Sequence, residues 1–378
     1  MKKITFLSFV LLGCFLFLVC SCKKKSDNDI SKVNEQIIAQ WERVSDSILP
    51  TIRVPGMIIG IWAPNRDLTW VRGKGKANVA TGEKPDPSMK FRIGSLTKTY
   101  TYTVLLQLVD EKSLNLSDKL SLFLPDFPKA DSITIRMLCN HTSGIFDYTE
   151  TVQFQMGLFT DPFKVWTSQE FIDMVKGEPF YFPPGTNFKY SNTNTIIAGK
   201  IIEQITGNPV EMEIQQRVLT PLHLANTSYP SDHSMPVPFV HGYDWIWDSD
   251  TTHFPDVAEA YDPSIGGVAG AMVADVYDLR SWVENLYKGT LLTPATQALR
   301  LTVIPAPGED CEEYGLGIMH KINPPMWGHT GTIPGYKNWA GYCPSQNVTI
   351  VISYNSTQSK PMVLACRLMN IYLQAIKE

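Results

Sequence analysis

Ser95 and Lys98 stand three residues apart, Tyr190 and Asn192 two apart, and His329, Thr330 and Gly331 follow one another directly, with Thr332 next. A serine hydroxyl is a weak nucleophile at neutral pH and needs a base within hydrogen-bond reach. On a helix, residues three apart share a face, so the Lys98 amine can stand beside the Ser95 hydroxyl. The segment from Leu96 to Asp110 is rich in Leu, Val, Thr and Tyr and has no polar face, which predicts a helix buried on all sides. Burial disfavours the charged form of Lys98 and moves it toward a useful base. Tyr190 is a second proton carrier, since a phenol near an ammonium group gives up its proton more readily. The Asn192 amide can offer its carbonyl to Lys98 and its N–H groups to a substrate carbonyl. Gly331 has no side chain to keep a substrate from its strand, and Thr330 offers a hydroxyl to a substrate carboxylate.

Ser-x-x-Lys occurs twice, at 21–24 and 95–98, so that spacing alone says little. The set, its order and its context say more. The three signatures resemble the S-x-x-K, S-D-N and K-T-G motifs of the serine β-lactamase and penicillin-binding-protein superfamily. Tyr-x-Asn and His-Thr-Gly look most like its class C branch, which groups class C β-lactamases, D-alanyl-D-alanine carboxypeptidases, esterases and D-amino-acid amidases. The blocks FRIGSLTK (91–98), LCNHTSG (138–144), PGTNFKYSN (184–192), YGLGI (314–318) and GHTGTIPGY (328–336) extend the likeness over residues 33–378. The resemblance implies an α+β fold: an antiparallel sheet flanked by N- and C-terminal helices, with an inserted helical lobe and the site where the lobes meet. It also implies an acyl-enzyme on Ser95 and oxyanion donors at the backbone amides of Ser95 and Thr332.

One motif position differs from the lysine form. Where that form places a permanent cation, His329 is charged only near or below its pKa. A protonated His329 would hold a substrate carboxylate at low pH and release it through roughly pH 6 to 7. This leaves room for an esterase or amidase on uncharged substrates; an ester, a D-amino-acid peptide and a β-lactam are the substrate classes expected. A class C-like β-lactamase or D,D-carboxypeptidase is the alternative. A protein that is acylated without turning over, acting as a sensor, is the alternative of another class.

The elements that position these residues follow from periodicity. Val33, Ile37, Trp41, Val44 and Ile48 recur at helical spacing, predicting a helix over 32–48. Gly56–Ala63 and Leu68–Gly75 read as strands around a turn at 64–67, with 74–87 a loop. The middle carries helical patterns at 169–175 and 195–206 between long loops. Strands return at 338–343 and Val348–Tyr354, and a helix over 360–376 closes the order. The expected division is a sheet lobe from 33–95 and 265–378 and a helical lobe over about 96–264. The segment 141–144 reads as a turn bracing the site. The loops from 230 to 270, with Trp245, Trp247, His253 and Tyr261, would shape the pocket.

Residues 1–21 read as an export leader: Lys2 and Lys3, an apolar run from Ile4 to Val19, then Cys20, Ser21 and Cys22. The stretch 19–22 resembles a bacterial lipobox, which makes Cys22 the lipidated residue and 22–32 a tether. A plain membrane anchor is the other reading, because the run is nearly long enough to span. The formal charge is −4, and loss of the two leader lysines makes it −6. No basic run follows the leader and tether, which argues against a nucleic-acid partner. No Cys/His cluster has zinc spacing, so neither metal nor cofactor is expected. Cys311 and Cys343 flank the third motif and can pair in an exported protein; buried thiols are an equal reading for them and for Cys139 and Cys366.

Overall fold

The computed structural model describes residues 27–244, 255–308 and 310–377. The leader, Cys22, Trp245, Trp247 and His253 lie outside the described residues. Chain order runs α1 (Asp27–Ile48), β1 (Gly56–Ala63), β2 (Leu68–Gly75), β3 (Phe91–Arg92), α2 (Thr97–Asp110) and α3 (Ile135–Cys139). It continues with α4 (Val152–Thr160), α5 (Ser168–Val175), α6 (Asn192–Thr206), α7 (Val210–Ile214), β4 (Val273–Ala274), α8 (Val276–Lys288) and α9 (Pro294–Arg300). The last part holds β5 (Ile304–Pro305), β6 (Glu313–Tyr314), β7 (Met319–Lys321), β8 (Met326–Ile333), β9 (Tyr336–Cys343), β10 (Val348–Tyr354) and α10 (Pro361–Ala375).

The main sheet has the order β2-β1-β10-β9-β8-β7-β6-β5, and its strand pairs are antiparallel. N-terminal strands therefore lie beside C-terminal ones, with β1 pairing Ile59 to Ile352 of β10. All eight residues of β1 are buried, as a strand covered on both faces requires. On one face α1 and α10 pack Ile37 and Trp41 with Leu364 and Leu368 over Ile59, Ile61, Ile350 and Ile352. Trp41 Nε1 donates to the Leu368 carbonyl at 2.9 Å, so the buried indole is satisfied and the two terminal helices are joined. On the other face, α8 and the helices from the middle of the chain share a second core.

Helix α2 is the axle of that core. Ten successive residues, Thr97 to Leu106, are buried, as the missing polar face predicts. Its threonines remain satisfied: Thr103 Oγ1 donates to the Thr99 carbonyl at 2.6 Å and Thr101 Oγ1 to the Val268 carbonyl at 2.7 Å. Tyr100 stacks on Trp282 of α8 with ring centroids 4.1 Å apart.

Three expectations need adjustment. Helix α1 begins at Asp27, so residues 27–31, expected in the tether ahead of a helix at 32–48, are helical. The stretch from 220 to 272 contains turns and short 3-10 segments in place of α-helices among its described residues. No disulfide joins Cys311 to Cys343. Cys343 belongs to the core under α1 and α10, whereas Cys311 packs with Phe188, Ala306, Tyr314 and Met319 in a separate cluster.

Candidate active site

Ser95 sits in a 3-10 turn, Gly94–Leu96, that leads straight into α2. The turn is pinned against β8 by two glycines. Gly94 has φ +55°, and a Cβ there would stand 2.6 Å from the Thr332 nitrogen. A Cβ on Gly331 would stand 1.9 Å from the Ile93 carbonyl oxygen. Gly331 is thus required where β8 crosses the nucleophile turn; its bare face meets protein, not the space expected for substrate. This crossing brings the backbone nitrogen of Thr332 beside the Ser95 turn.

Lys98, in the first turn of α2 and three residues past Ser95, is fully buried. Its Nζ lies 2.9 Å from Ser95 Oγ, 2.7 Å from Asn192 Oδ1 and 2.8 Å from the Ala269 carbonyl oxygen. Burial pulls its pKa down from 10.5 to about 7, against the opposing charge of Asp147. Two of the three neighbours, an amide oxygen and a backbone carbonyl, can only accept. A neutral amine donates to those two and turns its lone pair to the third, the Ser95 hydroxyl, which then donates. The Tyr190 ring lies over Lys98, with Nζ 5.0 Å from its centroid.

Asn192 opens α6. Its Nδ2 donates to Asp147 Oδ2 at 2.8 Å, and its backbone N–H donates to the same oxygen at 3.0 Å. One of the two Nδ2 hydrogens is therefore committed, and the other remains for a substrate. Asp147 was not singled out in the sequence. Its only local mark is an Asx turn, in which Oδ1 accepts from Thr149 N at 3.0 Å, the pattern of any turn aspartate.

His329 departs from the expectation. Alternation along β8 turns it away from the Thr330 and Thr332 side, and it is fully buried. Its Nδ1 is 2.6 Å from the Thr330 carbonyl and its Nε2 2.9 Å from the Tyr314 hydroxyl. The carbonyl only accepts, so Nδ1 carries the proton and Nε2 accepts from Tyr314. Tyr314 Oη is also 3.3 Å from His141 Nε2, and His141 Nδ1 accepts from Asn194 Nδ2 at 3.1 Å and Ser191 N at 3.3 Å. Burial pulls the His329 pKa down to about 3, and burial also lowers that of His141. The expected imidazolium for a substrate carboxylate is thus replaced by a neutral ring. That ring ties the His141 turn to β8.

Ser95, Tyr190, Asn192, Thr330 and Thr332 meet at a cavity of about 540 Å³. Tyr148, Phe154, Leu158, Ile265, Met319 and Ile333 supply apolar wall. Asp244 and Asp310 also line it, and among the described lining residues there is no lysine, arginine or histidine. Asp310 Oδ1 pairs with Lys360 Nζ at 2.9 Å. Lys98 lies just beneath, while His329 and Gly331 are not on the wall. Of the pocket-shaping aromatics expected in the 230–270 loops, Tyr261 is described and is fully buried, its hydroxyl donating to the Pro334 carbonyl at 2.8 Å.

A mixed α+β fold with a serine, a buried lysine, a tyrosine and an asparagine at the meeting of sheet and helices defines a β-lactamase-fold serine hydrolase. The profile of the beta-lactamase family matches residues 38–372, and the chain belongs to that family. A penicillin-binding protein of Bacillus subtilis is 27% identical over 289 residues, which cover 72% of this chain and 62% of the relative. The chain thus spans about three fifths of that relative's length. Among solved structures, a D-stereospecific amidohydrolase from Streptomyces is 29% identical with a TM-score of 0.73, covering 88% of this chain and 95% of the other. The D-amino acid amidase of Ochrobactrum anthropi, complexed with D-phenylalanine, is 25% identical with a TM-score of 0.78, covering 92% and 99%.

Proposed function

We propose that this protein is an exported, membrane-tethered amidase or esterase that works through an acyl-enzyme on Ser95. The position of Lys98 carries the reading: a buried amine with two obligate acceptors and the Ser95 hydroxyl as its third neighbour. Ser95 Oγ attacks the substrate carbonyl carbon and its proton passes to Lys98 Nζ. The amides of Ser95 and Thr332 donate to the developing oxyanion. A proton returned through Lys98 and Tyr190 lets the amine or alcohol leave, and water then releases the acyl group by the same path in reverse.

The cavity wall favours substrates without a carboxylate. Among its described residues the wall carries two aspartates and no cation, with Lys360 paired to Asp310 and a neutral His329 behind it, so it offers a carboxylate little charged support. An amide or ester of an amino acid, carrying an ammonium group and an apolar side chain, meets the Asp244 carboxylate and the apolar residues instead. The amidohydrolase and the amidase noted above, named for D-stereospecific and D-amino-acid chemistry, make D-amino-acid amides the first series to test. The test is a panel of neutral esters, D- and L-amino-acid amides and cephalosporins with wild type and Ser95→Ala. Turnover of amides and esters that disappears in the variant is expected, with one fluorophosphonate adduct on wild type at Ser95. Turnover confined to cephalosporins, or an adduct on Ser143 or Ser191, overturns the reading. Export and tethering rest on the leader and Cys22; Cys22→Ser must leave the membrane fraction or stall in processing.

A further inference from the structure

Asp147 is a carboxylate with one-twentieth of its surface exposed, set behind Asn192 and out of the cavity wall. It receives four hydrogen bonds: Oδ2 from the backbone N–H and Nδ2 of Asn192, at 3.0 and 2.8 Å, and Oδ1 from the backbone N–H and hydroxyl of Thr149, at 3.0 and 2.9 Å. That is more than a turn needs. An Asx turn is complete with the Thr149 bonds alone, and a buried charge is costly unless it is well paired.

The second oxygen has one evident use. A side-chain amide can stand either way round, and only the neighbours decide. A carboxylate can only accept, so Asp147 forces Nδ2 toward itself and Oδ1 toward Lys98, which it meets at 2.7 Å. The reverse orientation would set an NH2 against the Lys98 amine and an oxygen against a carboxylate. We infer that Asp147 is a positioning residue of this site: through the Asn192 amide it aims an acceptor at Lys98, and its negative charge holds the proton balance of that amine. The inference rests on the reading of Lys98 as the base for Ser95.

The charge acts in a definite direction. The groups facing Lys98 are Asp147 before the 3-10 turn at 148–150, Tyr190 ahead of α6, His141 after α3 and His329 on β8. Both histidines are held neutral by burial, and Asp147 opposes the burial of Lys98 by favouring its protonated form. Removing the carboxylate charge therefore lowers the proton affinity of Lys98, and the amine becomes a free base at lower pH.

Asp147→Asn removes the charge together with the accept-only restraint, whereas Asp147→Glu keeps the charge and moves it, so the pair tests charge and aim by different readouts. In Asp147→Asn the acidic limb of kcat/KM for a neutral ester is expected to move down by about one pH unit. The Lys98 13Cε resonance of 13C-lysine-labelled protein, assigned with Lys98→Arg, should titrate lower by the same amount. Asp147→Glu keeps the charge and displaces it. There the limb should stay near its wild-type position while kcat/KM falls at least tenfold. A limb and a resonance that both stay in place in folded Asp147→Asn overturn the charge role, and wild-type kcat/KM in Asp147→Glu overturns the aiming role. If Asp147→Asn does not fold, the glutamate variant still decides the second. A resonance that moves while the rate profile does not would leave Asp147 acting on Lys98 and refute instead the reading of Lys98 as the base.

Discussion

Replacing Lys98 by methionine should change the pH dependence of stability in a way that reads the amine directly, without a substrate. In the native protein its pKa is about 7, in place of the ordinary 10.5, because burial penalises the charge. Between those values the unfolded chain binds a proton that the native chain does not, so stability rises with pH, by about 1.4 kcal/mol per unit. The contribution is fully present above the unfolded value and is lost as pH falls toward the folded one. Below it both states are protonated and the dependence ends. Methionine fills much of the same volume and does not titrate. The stability of Lys98→Met minus that of wild type should therefore shrink by about 2 to 3 kcal/mol from roughly pH 7.5 to 9.5 and stay level below about pH 6.5. The variant also leaves the Asn192 and Ala269 oxygens without their donor, a cost of about 1 to 3 kcal/mol each that offsets the whole curve and not its slope. Urea denaturation of both proteins across that pH range measures the difference. Parallel curves would mean that native Lys98 keeps its proton through neutral pH, and with it the case for a neutral amine beside Ser95 would fall.

Gly94→Ala forces a Cβ to within 2.6 Å of the Thr332 nitrogen at φ +55°, so the amide that completes the oxyanion pair must move. A fall in kcat of about 10²- to 10³-fold on an activated ester is expected, against unchanged kcat in Gly207→Ala, where φ is +74° but nothing lies within 4 Å. Equal losses in the two variants would assign the effect to backbone strain and not to the oxyanion site. Because His329 stays neutral down to about pH 3 while Lys98 titrates at about 7 beneath the same cavity, the KM ratio of matched anionic and neutral esters should follow the same pH course from 5 to 8 in wild type and in His329→Gln. A selective rise for the anionic ester through pH 6 to 7 that His329→Gln abolishes would return the imidazolium to the site.

The parts of this site that were legible in the sequence are those whose partners lie within a few residues. Ser95 and Lys98 share one helix face, and the apolar run that buries Lys98 is written in the same fifteen residues. The order of the three motifs, and the strands at both ends of the chain, were enough for a sheet closed by N- and C-terminal segments. What was not legible depends on partners far along the chain. Asp147 looks like any turn aspartate until Asn192, 45 residues on, is placed against it. His329 looks like a titrating cation until strand alternation turns it inward onto Tyr314, and the Thr330 carbonyl then settles its tautomer. Gly331 reads as room for a substrate until Ile93 is found in that room. All three corrections lie where the helices meet the sheet. There the sequence shows which groups are present, while the packing of one lobe on the other decides which of them keep a charge. Burial in this seam pushes Lys98 toward its neutral form as it does His329. The chemistry differs because Lys98 has the Ser95 hydroxyl as its third neighbour and His329 has only the rings and carbonyl that hold it.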